Sequence, residues 1–306
     1  MSSPTIPRRP APTDGWSGLV IDGRYRIGRL LGEGGMGEAY LARDLRLERW
    51  VVVKRPHASL LADASERLRF LREIRSLTRL EHPYVLKILD AGAGPDGCPF
   101  AVMPYLPGGN LRDVLASRAR WSVRDLRVWL PAMACALDYV HGHGYVHGDV
   151  KPANVLFDES GNAILSDFGL VHALAPDAPD GELEATPGSP AYMGPEVIGG
   201  GAIGPAYDQY ALGVMVHEAL AGERPFDDTS VVACLLHKRA SPPRPLRDLG
   251  VHVTAAEEAA VLRALARDPA ARFPRCASFV RALDPEAPLP SCLPPPAATP
   301  DVSGPA

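Results

Sequence analysis

The chain has 306 residues, 46% of them hydrophobic, with 32 basic and 36 acidic side chains for a formal net charge of −4. That is enough apolar material for one large globular domain or two small ones, and without a basic excess nucleic acid is excluded as the main partner. Five scattered cysteines (Cys98, Cys135, Cys234, Cys276, Cys292) form no CxxC pair; this argues against a disulfide framework or a zinc site, and a reducing, cytoplasmic location is expected.

Residues 1–23 are polar, proline-rich and without the apolar stretch of a signal peptide. Residues 284–306, with the run Pro294-Pro295-Pro296, have the same character. Both bury too little apolar surface to offset the entropy of ordering and are expected to be disordered tails, leaving 24–283 to fold. The most apolar stretches, 128–140 and 210–221, are too short to cross a bilayer and carry Asp138 and Glu218, so they are expected as buried helices rather than a membrane segment.

The folding region opens with strand-like runs at Tyr25–Leu31, Ala39–Ala42, Trp50–Lys54 and Pro99–Leu106, separated by Gly, Asp and Pro turns. Between the first two lies Gly32-Glu33-Gly34-Gly35-Met36-Gly37, a GxGxxG pattern whose glycines let backbone N–H groups approach phosphate oxygens. A dinucleotide fold would open a helix at the last glycine, whereas a further strand-like run follows. By itself the pattern fits a nucleotide site and a plain glycine-rich hairpin equally.

Lys54 ends an apolar strand, and Glu73 follows 19 residues later on a helix, 64–80, whose Leu68, Leu71, Ile74, Leu77 and Leu80 make one apolar face. A solvated lysine and an ordinary helix glutamate would read the same way. From Leu111 the periodicity is helical, near 123–141, 207–221, 230–240 and 255–265. A strand-rich small lobe (24–105) thus precedes a helical large lobe (106–283), with a hinge near Pro104–Gly109.

Asp149 precedes Asn154 by five positions and Asp167 by eighteen, in His147-Gly148-Asp149-Val150-Lys151-Pro152-Ala153-Asn154 and Ser166-Asp167-Phe168-Gly169. A carboxylate to take a hydroxyl proton, with an amide and a second carboxylate for a divalent cation, is the set that in-line phosphoryl transfer needs. His141 and His143 lack matching ligands and sit beside helix-ending glycines, which reads as a turn rather than a metal site.

Together these motifs, over about residues 25–283, resemble the protein kinase family, in its bacterial Hanks-type serine/threonine branch. The resemblance implies an α+β, two-lobed fold: a five-stranded antiparallel sheet with one helix, then a mainly helical lobe, with ATP in the cleft. It implies ATP and Mg²⁺ (or Mn²⁺) as cofactors and protein Ser/Thr hydroxyls as acceptors. By it, Lys54 would bind the α/β-phosphates and pair with Glu73, Asp149 would be the base, Lys151 would touch the γ-phosphate, and Asn154 and Asp167 would hold the metal. Leu31, Ala39, Val52, Met103, Pro104, Leu106 and Leu156 would surround the adenine beside the glycine loop. Gly194-Pro195-Glu196 stands where the family has Ala-Pro-Glu, with Arg272 as partner of Glu196. Asp208 would anchor the catalytic loop, and His147 would be a packed core histidine beside Phe168. Lys151-Pro152 and Ser189 in Gly188-Ser189-Pro190-Ala191-Tyr192 favour Ser/Thr over Tyr, and Thr186 is the clearest phosphoacceptor of the segment after Gly169.

Three departures stand out. Gly148 replaces the arginine of His-Arg-Asp, which in many relatives docks an activation-loop phosphate, so control of that kind is not expected; the same change keeps a nucleotide-binding pseudokinase scaffold open, beside a small-molecule phosphotransferase. Ala39 stands where valine is usual and Val52 where alanine is usual, and the pair is expected to conserve volume over the adenine. Val52→Ala alone is then expected to weaken ATP binding in a calorimetric titration, and unchanged or tighter affinity would refute the offset.

Overall fold

The computed structural model describes residues 16–34, 37–57, 64–167, 172–173, 190–199, 203–226 and 231–290. The chain divides into two units, Met1–Glu81 with Lys87–Tyr105, and His82–Leu86 with Leu106–Ala306. Residues 82–86, placed by sequence with the small lobe, go with the second unit: the Leu86 N–H donates to the Leu165 carbonyl, and the Leu165 N–H to that of Tyr84, both at 2.8 Å.

The first unit holds β1 (Val20–Ile21), β2 (Tyr25–Gly34), β3 (Gly37–Asp44), β4 (Arg49–Pro56), α1 (Ala64–Leu77), β5 (Asp90–Ala93) and β6 (Pro99–Pro104). The strands form one antiparallel sheet in the order β1-β2-β3-β4-β6-β5. Five are the principal strands; the sixth, β1, has two residues. Alternation puts Tyr40, Ala42, Val51, Val53, Phe100 and Val102 on the face that packs with Tyr25 and Ile27 as the core. On α1, Ile74 and Leu77 of the expected apolar face are buried, as is Leu80 just beyond the helix.

The folded region begins ahead of the expected boundary at Arg24. Trp16 is 2% exposed; its ring meets Phe100 edge-on at 6.1 Å, its Nε1–H donates to Asp96 at 3.1 Å, and the Arg55 guanidinium lies 4.9 Å from its centroid. A polar segment is thereby held by one large apolar anchor, which composition averages away. Arg24 then clasps Asp44 through two bonds, 3.0 and 2.8 Å, and reaches Asp90 at 3.2 Å. That fork holds the Asp44 carboxyl down at about 2, helped by the Leu47 and Arg46 N–H groups.

The second unit contains α2 (Leu111–Ala116), α3 (Leu130–Gly142), β7 (Tyr145–Val146), β8 (Val155–Phe157), β9 (Ala163–Leu165), β10 (His172–Ala173), α4 (Pro205–Ala221), α5 (Val231–Ala240), α6 (Ala255–Ala264) and α7 (Cys276–Leu283). α3 and α4 are buried almost all round, as expected from their apolar sequence; no described helix is long and apolar enough to cross a membrane. β7 pairs with β10, and β8 with β9, each antiparallel. α6 starts in a capping box between Thr254 and Glu257.

At the C-terminal end, folding continues past Leu283. The Asp284 carboxylate accepts two bonds from Arg127, at 2.6 and 2.8 Å, and the chain is described as far as Pro290. Among the described residues Cys98, Cys135, Cys234 and Cys276 are buried, and none is in a disulfide.

Trp16→Ala empties a filled site in the first unit's core and is expected to cost about 3–5 kcal/mol, read as an earlier transition in urea. An unshifted midpoint would mean that the indole is a passive lodger.

Candidate active site

β7 runs into a loop that carries His147, Gly148, Asp149 and Lys151, closes in a 3-10 turn at Pro152–Asn154, and continues as the β8–β9 hairpin to Ser166 and Asp167. One fully buried carboxylate braces this loop from 60 residues away. Asp208, in the first turn of α4, accepts the N–H groups of His147 and Gly148, each at 2.8 Å, and a third bond from His141 Nε2 at 2.8 Å. Burial alone would raise its pKa; the His141 bond and the Gly148 N–H outweigh burial and leave it below the ordinary value.

Two adjacent N–H groups can address one carboxylate because Gly148 adopts φ +77°, left-handed backbone in which an L side chain crowds the carbonyl. Glycine at the arginine position is therefore the residue that this backbone accommodates without strain. His147 is buried; Nδ1 accepts the Asp149 N–H at 3.2 Å, so Nε2 carries the proton and donates to the Ser166 carbonyl at 2.9 Å. One imidazole thus joins the loop of Asp149 to the segment of Asp167.

At the head of the loop, Asp149 is 8% exposed. Its Oδ2 meets Lys151 Nζ at 2.6 Å and Asn154 Nδ2 at 3.0 Å, and the same amide donates to the Asp149 carbonyl at 2.8 Å. Asn154 spends its N–H groups on Asp149, which leaves its amide oxygen facing away. Ser166 donates its N–H (2.8 Å) and hydroxyl (2.9 Å) to the Asn154 backbone carbonyl, and so sets Asp167 next to Asn154. Asp167 itself has φ +64°, a strained conformation for a non-glycine residue, worth about 1–3 kcal/mol. An amide oxygen and a carboxylate on neighbouring segments are hard oxygen donors, and that set fits Mg²⁺ or Mn²⁺.

A second ion pair lies further along. Glu196 receives two parallel bonds from Arg272, each 2.8 Å, and Arg272 also donates to the carbonyls of Ala266 and Ala206. Tyr192 donates its hydroxyl to Glu218 at 2.6 Å. These bonds pin both ends of residues 192–196 to the helical unit.

In the first unit the β3–β4–β6 register places Ala39 opposite Lys54, Lys54 opposite Ala101, and Val52 between Leu41 and Met103. Ala39, Val52, Lys54 and Met103 therefore share the face turned away from the core, and Ala39 and Val52 are diagonal neighbours, as a compensating size exchange requires. Leu31 lies in β2, and Pro104 pairs with Val51 at the end of β6. Side chains at Gly32 and Gly34 would meet no protein atom, so packing does not demand glycine there. At Gly37 a side chain would overlap the Arg55 carbonyl, so there it does. Glu73 lies on α1, but its side chain is outside the described residues, as are Gly35, Met36, Phe168, Gly169, Thr186 and Ser189. Glu33 is exposed on β2, while Leu106 and Leu156 are half-buried in the second unit.

His141 has a role that its sequence context does not announce. Its histidine-glycine context reads as a turn, and only the tertiary fold brings it to Asp208. Asp138, His141 and Cys276 come close enough to suggest a metal, yet Asp138 accepts the Cys276 and Ala277 N–H groups at 2.8 and 3.0 Å and caps α7. No local motif marks either role.

The family profile described as protein kinase domain matches residues 25–253. The chain belongs to the protein kinase family. It is 38% identical to serine/threonine-protein kinase PknB of Mycolicibacterium smegmatis over 85% of this chain and 42% of that protein. It is 40% identical to the DNA damage-responsive serine/threonine-protein kinase RqkA of Deinococcus radiodurans over 75% of this chain and 35% of that protein. The chain thus spans well under half the length of these curated relatives. Among solved structures it is similar to the PknI kinase domain of M. tuberculosis, with a TM-score of 0.70 at 32% identity, covering 88% of this chain and 97% of that one. The family is the bacterial Hanks-type serine/threonine branch with the two-lobed kinase fold, and membership implies use of ATP and a divalent metal in general.

Gly148→Ala keeps every side chain of the site and adds only a Cβ in left-handed backbone. It is expected to lower stability by about 1–2 kcal/mol in denaturant unfolding, and a neutral result would show that the loop relaxes to negative φ.

Proposed function

We propose that the chain transfers the γ-phosphate of ATP to Ser and Thr hydroxyls of proteins, itself included. The observation that carries this reading is the Asp149 carboxylate held by Lys151 and Asn154 on a loop braced by Asp208. In the transfer the acceptor oxygen bonds to the γ-phosphorus as the bond to the β-phosphate oxygen breaks; the acceptor proton goes to Asp149 and ADP leaves. Lys151, already paired with Asp149, is placed to offset charge on the transferred group. Lys54 would hold the α/β-phosphates, with Glu73 to steady it. Gly32 and Gly34 leave room for backbone approach, while Leu31, Ala39, Val52, Met103 and Pro104 of the first unit would meet the adenine. Asn154 and Asp167 would hold Mg²⁺ or Mn²⁺, which when bound neutralises phosphate charge.

The Glu196–Arg272 pair and the Tyr192–Glu218 bond support a protein acceptor: they build a rigid platform that a small acceptor does not need. Gly148 supports a non-RD enzyme, with Thr186 and Ser189 as acceptors whose phosphates the loop does not dock. The nucleotide-binding scaffold is the second reading, favoured by Gly148 alone.

Incubating the chain with γ-labelled ATP, Mg²⁺ and a generic protein substrate beside Asp149→Asn is expected to label Ser and Thr in the wild type only. The variant should lose about 10²–10⁴-fold in rate while still binding ATP. Wild type stripped by phosphatase should keep its initial rate. Equal labelling by both proteins sinks the assignment of Asp149; bound ATP without transfer points to the scaffold, and label on small acceptors alone to a small-molecule phosphotransferase.

A further inference from the structure

Lys238, near the end of α5, is 1% exposed. Its Nζ donates to the carbonyls of Pro190, Ala191 and Met193 at 2.7, 2.7 and 2.9 Å, and it stands 5.6 Å from the centroid of the Tyr210 ring on α4. An ammonium has three donors and no acceptor, so three carbonyls of one short segment use it completely. Among the described residues no carboxylate forms an ion pair with it. Burying a charge without an opposite charge is costly, and an apolar side chain would fill the same place on α5 without that cost. What the lysine adds is a grip on the backbone of residues 190–193.

That backbone adjoins the reactive loop. Tyr192 and Met193 line one small cavity with Gly148, Asp149 and Tyr207. Beyond it the chain is fixed by Tyr192 to Glu218 and by Glu196 to Arg272, whereas residues 190 and 191 are gripped through Lys238. We propose that Lys238 is a positioning residue for protein substrates, its ammonium holding residues 190–193 in the shape against which the acceptor segment docks; this rests on the protein kinase reading above.

Burial pushes the Lys238 ammonium down to about 8. The groups that act on it are Cys234 on its own helix, Tyr210 on α4, Glu196 in the turn after the platform, and Arg224 in the loop after α4. Loss of the proton removes one donor and the charge. The sign for stability is opposite: the folded value lies below the usual 10.5, so above pH 8 the unfolded chain binds more protons and global stability rises with pH. A grip that weakens while the fold does not is a signature that general unfolding cannot imitate.

The test measures KM and kcat for a serine-containing acceptor peptide and for ATP from pH 6.5 to 9.5, in wild type, Lys238→Met and Lys238→Arg. Amide exchange of residues 191–193 is followed alongside. Expected at pH 7 is an acceptor KM raised about tenfold in Lys238→Met, with ATP KM within about twofold of wild type. Wild-type acceptor KM should climb with a midpoint near 8 and approach that of the methionine variant; Lys238→Arg, always charged, should show no inflection there. An unchanged acceptor KM in Lys238→Met, or an inflection near 8 that survives in it, overturns the proposal. Should that variant not fold, a wild-type acceptor KM that stays flat between pH 7 and 9 does so as well. A wild type that labels no protein refutes the kinase reading instead, and lost exchange protection in Lys238→Met would then reveal a clamp without a substrate, which also ends the positioning role.

Discussion

A charge without water needs a complete set of partners, and Asp208 has one. Its carboxylate takes two consecutive backbone N–H groups and an imidazole, and those bonds fix where the chain turns into Asp149. The brace and the glycine depend on each other: the carboxylate aligns both N–H groups because Gly148 turns left-handed, and the left-handed turn persists because the carboxylate holds it. His147 then carries the order sideways to Ser166, and Ser166 carries it to Asn154. The candidate catalytic and metal-holding oxygens are therefore positioned by backbone and buried hydrogen bonds, and the exposed side chains add little to their placement.

Much of this site was legible because phosphoryl transfer places its groups on one loop and the hairpin behind it. Asp149, Asn154 and Asp167 are near in sequence for the same reason that they are near in space. The strand of Lys54 and the helix of Glu73 were readable from periodicity. Support was not readable. Asp208 lies 60 residues from the groups it holds, and only its resemblance to the family marked it; His141 carried no such mark. Lys238 sits on a helix with other basic residues at its end, which on any helical wheel reads as solvated surface.

The same contrast runs through the fold. β5, Asp90–Ala93, offers only Ala91 and Ala93 as apolar residues, neither of them fully buried, and its strand character comes from pairing along β6. Trp16 packs a segment whose composition argues for disorder. α7 is short, and although Cys276, Phe279, Val280 and Leu283 recur at helical spacing and are buried, two turns are too few for a periodic signal to stand out beside a proline-rich sequel. Local pattern identifies elements that bury a whole face, and it fails for elements secured by one residue or by a neighbour's edge.

The Glu196–Arg272 pair bears on where a working fragment could be cut. The family profile stops at residue 253, whereas Arg272 comes nineteen residues later, after α6. A piece trimmed to the profile would keep Glu196 and discard the guanidinium that neutralises it, leaving a desolvated carboxylate beneath the segment that Lys238 grips. It would also forfeit the helix that Asp138 caps and the indole at position 16. Such a piece could contain every residue of the phosphoryl-transfer set and still be a poor enzyme. A piece that keeps its buried charges partnered and its core filled has to reach from Trp16 to Asp284.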